Sequence, residues 1–215
     1  MRLYFRFLYK KGYIQTTPVE KIEFSKRKTK TPKKGSSQQV SKAIEIISSG
    51  LGCKKHKTYL THSKTRDTAL LLLLITTGIS PFSCVSINID DYETDEGSLV
   101  IHHKDGREKR IFLDPETAIV MHNYSIERKS IKAEPGNENA FFLSSQKKRL
   151  SIRALEDIIK KYTAEASEGK TALTGKDLRN LYIKEQYKKG TSIMNISKNL
   201  GLKQVTTVSD CLAEE

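Results

Sequence analysis

The stretch RDTALLLLLITTGISPFSCVSINIDDY, residues 66–92, decides the fold of this chain. It contains an unbroken apolar run from Ala69 to Ile75, which ends at Thr-Thr-Gly and passes into Ser80-Pro81-Phe82. A run this apolar predicts a helix over 66–77 that is buried on all sides. Loops that follow buried elements often carry functional residues, so the serine and proline at this helix end need an explanation.

Length and composition predict one domain, or one domain with an appendage. The chain has 215 residues, of which 37% are apolar, enough for a substantial core. Its longest apolar run is far shorter than the roughly 20 residues that span a bilayer, and its N-terminus does not resemble a signal peptide. Cys53, Cys84 and Cys211 are too few and too far apart for a disulfide framework or a zinc site. These features predict a cytoplasmic protein without a membrane partner or a metal site.

Positive charge is concentrated in the first third of the chain. Residues 1–65 contain 16 Lys and Arg against 3 Asp and Glu, whereas residues 66–215 contain 22 of each. The whole formal excess of +13 therefore lies in residues 1–65. A basic arm on a neutral domain is typical of proteins that bind nucleic acid, because Lys and Arg release counterions from phosphate. The alternative is a solvated leader that only aids solubility.

Local patterns predict a mostly α-helical α+β fold with a small antiparallel sheet. The sheet is a hairpin around 98–113, in which SLVIHH and EKRIFL flank the turn residues Asp105-Gly106. Helices are predicted over 2–14, before Gly50, over 66–77, after the cap Asp114-Pro115, after Ser151, before Gly190 and on both sides of Gly201. Residues 53–65 are predicted to be polar and irregular. The two short helices around Gly201 also resemble a helix-turn-helix.

Several stretches, taken in order, resemble one known family. They are RDTALLLLLITTGI, INIDDYETDEGSLVIHHKDGREKRIFL, AFFLSSQKKRLSIRALEDIIKKYTAEA, LTGKDLRNLY and NLGLKQVTT. Their order and spacing resemble the tyrosine recombinase family, also called phage integrase or Xer-like. The resemblance implies a tyrosine-recombinase catalytic-domain fold over 38–215, a basic linker over 25–37, and the residual last helix of an N-terminal core-binding domain over 1–24. It also implies a prokaryotic or phage protein associated with the nucleoid.

The resemblance implies a DNA-cleavage chemistry, and the residues that carry it in the family can be compared with the corresponding positions of this chain. Members of the family cut duplex DNA by attack of a tyrosine on a phosphodiester, which gives a 3′-phosphotyrosyl intermediate. Two arginines and a histidine or lysine stabilise the negative charge of the transition state, and a hairpin lysine protonates the leaving oxygen. The implied partner is double-stranded DNA, with no cofactor, no metal ion and no small-molecule substrate.

This chain keeps only part of that pattern. The first arginine corresponds to Ser80, and the nucleophilic tyrosine corresponds to Asp210 or Cys211, while the last tyrosine of the chain is Tyr187. The other positions correspond to Lys104 for the hairpin lysine, Lys176 for the histidine, Arg179 for the second arginine and Leu202 for the residue after Leu-Gly. Without the tyrosine and the first arginine, the chain is predicted not to be an enzyme. A Cys211 thiol could replace the nucleophile, but nothing near it in sequence indicates activation.

Candidate DNA contacts are the cations that the resemblance and the charge pattern single out. They are Lys104 and Arg107 of the hairpin, Lys147, Lys148 and Arg149 of the QKKR turn, Lys176 and Arg179, and the linker cations Lys26, Arg27, Lys28, Lys30, Lys33 and Lys34. The alternative for most is an ordinary solvated cation. For Arg179, between two leucines, the alternative is an internal pairing with an acid.

The leading functional hypothesis is a DNA-binding protein on a recombinase scaffold that has lost strand-cleavage chemistry. Its role would be that of a regulator, including transcriptional control, or of an accessory or dominant-negative factor of a mobile element or phage. The first alternative is a protein-interaction module whose C-terminal segment docks on an intact recombinase or on a second copy of itself. The second alternative is a decaying integrase remnant.

Overall fold

The computed structural model describes residues 2–16, 36–49, 60–202 and 204–213, and the chain divides into two units, Met1–Pro32 and Lys33–Glu215. In the first unit, helix α1 spans Arg2–Lys10. It is shorter than the predicted 2–14, because Gly12 adopts a left-handed φ of +76° and turns the chain away. The predicted linker 25–37 lies outside the described residues except at its last two positions, so the domain boundaries stay a prediction.

The second unit is built around helix α3, Leu60–Thr77, against which helix α2, Ser37–Ser49, packs. The predicted buried helix is confirmed, since Leu70, Leu71, Leu73 and Leu74 are fully buried. It begins at Leu60, so the prediction of an irregular segment up to residue 65 is wrong for its last six residues. No helix in the described part of the chain is long and apolar enough to cross a membrane.

The sheet has three antiparallel strands in the order β1, β2, β3. They span Tyr92–Glu93, Ser98–His102 and Glu108–Phe112. The predicted hairpin is confirmed, with Leu99 opposite Ile111 and Ile101 opposite Lys109. The strand β1 was not predicted, because two residues are too few to show an alternating pattern.

Besides a 3-10 helix, Ile89–Asp91, six further α-helices complete the second unit among its described residues. They are α4 (Pro81–Ser86), α5 (Pro115–Ser130), α6 (Ile152–Ala166), α7 (Gly175–Lys188), α8 (Ile193–Asn199) and α9 (Thr206–Ala213). The predicted caps are confirmed, since the Asp114 carboxylate accepts a hydrogen bond from the Thr117 amide and the Ser151 hydroxyl from the Ala154 amide. The short helix α4 was not predicted.

The apolar side chains form two clusters. The main cluster surrounds α3 and includes the rings of Tyr124, Phe141 and Phe142, whose centroids lie 5.0–5.4 Å apart. A smaller cluster joins α7, α8 and α9 through Tyr182, Ile183, Ile196, Leu200, Val208 and Cys211. Helices α8 and α9, which sequence alone also allowed as a helix-turn-helix, therefore pack against α7.

A buried polar network ties α3 to α6. Arg66 donates two hydrogen bonds to Asp67 Oδ1 at 2.8 and 2.7 Å, and Tyr162 donates one to Asp67 Oδ2 at 3.1 Å. Arg66 also donates to the Leu143 carbonyl at 2.9 Å. Burial raises the pKa of Asp67 above its usual 3.8, although Arg66 and Tyr162 favour the ionised form and offset part of this effect.

We expect the contribution of Asp67 to stability to fall as pH rises. A raised folded-state pKa means that the folded protein binds the proton more tightly than the unfolded chain. The stabilisation is therefore complete below the unfolded pKa, near 3.8, and is lost as pH rises through the folded value. Urea unfolding of wild type and Asp67→Asn across this range measures the effect. The free-energy difference, wild type minus variant, should fall with pH, and a difference that rises would show that the pKa is lowered.

Candidate nucleic-acid interface

Ser80 is positioned by the sharp exit of the chain from α3. Gly78 adopts a left-handed φ of +64°, and the ring of Tyr182 and a methyl group of Leu200 pack against it. Ser80 then caps α4, because its hydroxyl accepts a hydrogen bond from the Ser83 amide at 3.0 Å and donates one to Ser83 Oγ, also at 3.0 Å. The serine and proline at the end of the apolar helix thus start the next helix, as N-cap and first residue.

The first turn of α7 lies directly against the first turn of α4. A Cβ on Gly175 would lie 2.4 Å from Pro81 Cγ, so only a glycine permits this approach. Thr174 caps α7 in a capping box with Asp177. Lys176 follows in this first turn with an exposed side chain. The Gly175 amide at this helix start already donates to both oxygens of the Glu156 carboxylate at 3.2 Å, so a further anion would bind to the exposed ammonium of Lys176.

The tip of the β2–β3 hairpin reaches the same place from the sheet. Lys104 is exposed, and its Nζ lies 5.8 Å from the centroid of the Phe82 ring. Because Phe82 and Pro81 are adjacent, the hairpin lysine and the start of α7 approach the same turn of α4. The hairpin tip and the start of α7 thus both lie beside the first turn of α4, which Ser80 caps. We call this turn of α4, with Lys104 and Lys176 at its two neighbours, the α4 surface.

Arg107 and Arg179 are engaged by the protein itself. Arg179 is partly buried, which lowers the pKa of its guanidinium, and its Nη2 donates a hydrogen bond to the Leu200 carbonyl at 3.2 Å. Arg107 donates through Nε to Asp105 at 2.9 Å and through Nη2 to the Gly201 carbonyl at 2.9 Å. The two arginines that were predicted to contact phosphate thus both donate hydrogen bonds to carbonyls at the end of α8.

Leu202 and Cys211 belong to the C-terminal apolar cluster. Leu202 packs against it while partly exposed, and Cys211 is buried with its Sγ 3.9 Å from the Asn180 carbonyl oxygen. Asn180 directly follows Arg179, so position 211 lies beside the backbone of the arginine that the family resemblance singles out.

The QKKR turn divides into exposed and internal cations. Lys147 and Lys148 are exposed, and Lys147 has a left-handed φ of +59°. Arg149 points inward, where it donates hydrogen bonds to the Val85 and Ile87 carbonyls at 3.0 and 3.1 Å and to Asn88 Oδ1 at 2.6 Å. These bonds connect the turn to the end of α4, so Arg149 has a structural role. Its predicted contact with DNA stays a prediction.

Two contributors to this region were not predicted from sequence. Lys109 donates hydrogen bonds from Nζ to the Lys198 and Asn199 carbonyls at 3.1 and 2.8 Å. The second contributor is Phe82, whose ring lies next to the ammonium group of Lys104. The alternation of EKRIF could have indicated Lys109, because it places this lysine on the same strand face as the half-buried Ile111. The six linker cations, residues 26–34, lie outside the described residues and stay a prediction.

The chain matches the model of the phage integrase family over residues 27–211. It is 25% identical to tyrosine recombinase XerC of Roseiflexus castenholzii over 209 residues, which cover 96% of this chain and 63% of the relative. It is 26% identical to tyrosine recombinase XerD of Oceanobacillus iheyensis over 208 residues, which cover 96% and 66%. The chain thus spans just under two thirds of the length of these relatives.

Solved structures show the same fold at low sequence identity. XerA recombinase superposes with a TM-score of 0.70 at 19% identity, over 96% of this chain and 69% of that one. The XerH recombinase in a post-cleavage complex with palindromic difH substrate superposes with a TM-score of 0.72 at 16% identity, over 94% and 56%. These similarities confirm the predicted fold class, a mostly helical α+β domain of the tyrosine recombinase catalytic type.

The prediction that the chain is not an enzyme is wrong by this comparison. It rested on the replacement of the first arginine by Ser80 and on the absence of a tyrosine near Cys211. The relatives that the chain matches are named tyrosine recombinases, which are enzymes, and the match runs through both positions. Residue identities at two positions therefore do not remove the chain from an enzyme family.

Proposed function

Because the chain belongs to the phage integrase family, we propose that it binds duplex DNA and acts in site-specific recombination. The observation that carries this proposal is that Lys104 of the hairpin and the start of α7, which holds the exposed Lys176, both lie beside the first turn of α4. Two exposed ammonium groups beside one turn form a site suited to backbone phosphate. The basic linker supplies further positive charge.

The comparisons support the same proposal without identifying a target. The relatives are named recombinases, and a protein of similar fold, the Tn1549 transposon integrase, is bound to a circular intermediate DNA. Contacts from Lys104 and Lys176 to phosphates would position the protein on the duplex and would carry no sequence information by themselves. Binding through such contacts is strongly salt-dependent, because each contact releases condensed counterions.

We expect the double change Lys104→Gln and Lys176→Gln to weaken duplex binding about tenfold at physiological salt and to flatten the salt slope by about two. Fluorescence anisotropy with a labelled duplex over a salt series measures both quantities. The matched control is Lys129→Gln with Lys160→Gln, two exposed lysines on α5 and α6. Equal losses in the two double variants would show that the α4 surface is not the interface.

A second candidate function is docking on an intact recombinase or on a second copy, as an accessory or regulatory factor. It is favoured by exposed apolar side chains around the C-terminal cluster, namely Tyr187, Met194 and Val205. Size-exclusion chromatography with a purified recombinase, in the absence of DNA, tests this role. Co-elution that is lost in Met194→Ser would support it, and separate elution would exclude it.

A further inference from the structure

The C-terminal end of α8 is surrounded by cationic side chains from two other elements. Its last carbonyls, residues 198–201, all accept hydrogen bonds from them. Lys109 donates to the carbonyls of residues 198 and 199 at 3.1 and 2.8 Å, Arg179 to that of residue 200 at 3.2 Å, and Arg107 to that of residue 201 at 2.9 Å. We call this arrangement of three cations and four carbonyls the α8 clasp.

The chemistry of a helix end explains why cations gather there. The last carbonyls of a helix have few intrahelical partners, although that of Lys198 accepts the Gly201 amide at 3.1 Å, and they carry about half a negative charge, so they resemble anion oxygens to a cation. Arg107 and Lys109 come from the hairpin, whereas Arg179 comes from α7. Burial lowers the pKa of Lys109, and the nearby Lys198 lowers it further. Three cations thus converge on a group of oxygens that carries less than one full charge.

The hairpin can approach α8 this closely only because residue 201 is a glycine. A Cβ at this position would lie 2.4 and 2.5 Å from the ring atoms Cε1 and Nε2 of His103, much less than a van der Waals contact. Gly201 also has a left-handed φ of +63°. The contact between His103 and Gly201 therefore sets the distance between the hairpin and the carbonyls of the clasp.

We infer that the end of α8 occupies phosphate-binding cations in the free protein, and that duplex DNA binds by drawing the side chains of Arg107 and Lys109 away from it, while the buried Leu200 and its bond to Arg179 stay in place. The inference rests on the proposed function and adds Lys109 to the phosphate ligands. The hydrogen bonds of Arg107 and Lys109 are solvent-exposed. A phosphate can therefore reach these donors, and as a full anion it forms stronger hydrogen bonds with them than a neutral carbonyl does. The clasp is an autoinhibitory contact that lowers the affinity for DNA.

Gly201→Ala tests this inference because it separates the hairpin from α8 without removing any cation. The added Cβ meets His103, so the clasp must open. The matched control is Gly190→Ala. Gly190 also has a left-handed φ, of +85°, but no atom lies within 4 Å of the added Cβ, so this variant has the backbone strain without a steric clash. We expect Gly201→Ala to bind a labelled duplex of random sequence about three- to tenfold more tightly than Gly190→Ala. Adding Lys109→Met to Gly201→Ala should remove this gain.

A second variant opens the clasp without changing a glycine. His103→Trp places a larger ring against Gly201, and His122→Trp on the exposed face of α5 is its control. We expect tighter binding for the first and unchanged binding for the second. If wild type binds DNA but neither Gly201→Ala nor His103→Trp binds more tightly than its control, the inference is wrong and the proposed function stands. If wild type does not bind DNA even at low salt, the proposed function fails, and the inference fails with it.

Discussion

Neutralising the linker cations should weaken duplex binding by about two to three orders of magnitude at physiological salt. The change replaces six residues by glutamine, namely Lys26, Arg27, Lys28, Lys30, Lys33 and Lys34. The reason is the charge distribution, since residues 1–65 hold the whole excess of +13 and residues 66–215 are neutral. If all six residues contact phosphate, the slope of log affinity against log salt should flatten by about five. Anisotropy titrations of both proteins over a salt series measure the two effects.

The control for this experiment removes the same number of charges elsewhere. Six exposed lysines on α5, α6, α7 and the segments beside them serve for it, namely Lys129, Lys132, Lys160, Lys170, Lys188 and Lys189. Changing them to glutamine should alter the affinity much less, because only the general field of the protein changes. Equal losses in the two sets would mean that net charge alone drives binding, and that residues 26–34 are not a contact region.

Gly78→Ala should lower the free energy of unfolding by about 3–4 kcal/mol. The added Cβ would lie 2.3 Å from Tyr182 Cδ1 and 2.8 Å from Leu200 Cδ2, both of which are buried side chains that cannot move aside easily. The left-handed φ of +64° adds a backbone cost. Because Gly78 lies where α3, α7 and α8 meet, the variant should also weaken the packing that positions Arg179. Urea unfolding followed by circular dichroism measures the stability.

Gly190→Ala separates the two costs of the Gly78 change. Its φ of +85° imposes a similar backbone strain, but no atom lies within 4 Å of the added Cβ. It should therefore cost only about 1–2 kcal/mol. If both variants unfold at the same urea concentration, Tyr182 and Leu200 do not pack tightly over Gly78.

Local signals explain which parts of the fold could be predicted. The caps at Asp114 and Ser151 and the hairpin at Asp105-Gly106 depend on neighbours in sequence, and the structure confirms them. The order of motifs also predicted the family correctly. The start of α3 was predicted six residues late, because the polar residues before Arg66 gave no apolar pattern. Thr65 nevertheless connects this first part of α3 to α5, since its hydroxyl donates a hydrogen bond to Glu127 Oε1 at 2.7 Å.

The internal roles of the cations could not be predicted in the same way. Arg149, Arg179 and Lys109 donate mainly to backbone carbonyls of residues far away in sequence. Every residue has a backbone carbonyl, so such a partner leaves no trace in the residue types. Lys104 and Lys176 were easier to recognise, because a hairpin tip and a helix start are local features. Sequence therefore singled out candidate cations, but it did not indicate which of them the protein itself engages.

Selection of bound fragments from sheared genomic duplex DNA tests the central claim most directly. The full chain is incubated with the fragments at about 150 mM salt, where screening suppresses weak long-range attraction. The retained pool is then sequenced and compared with the input. Binding to duplex DNA in site-specific recombination predicts strong enrichment of one or a few sites. A retained pool with the same composition as the input would contradict the proposed function.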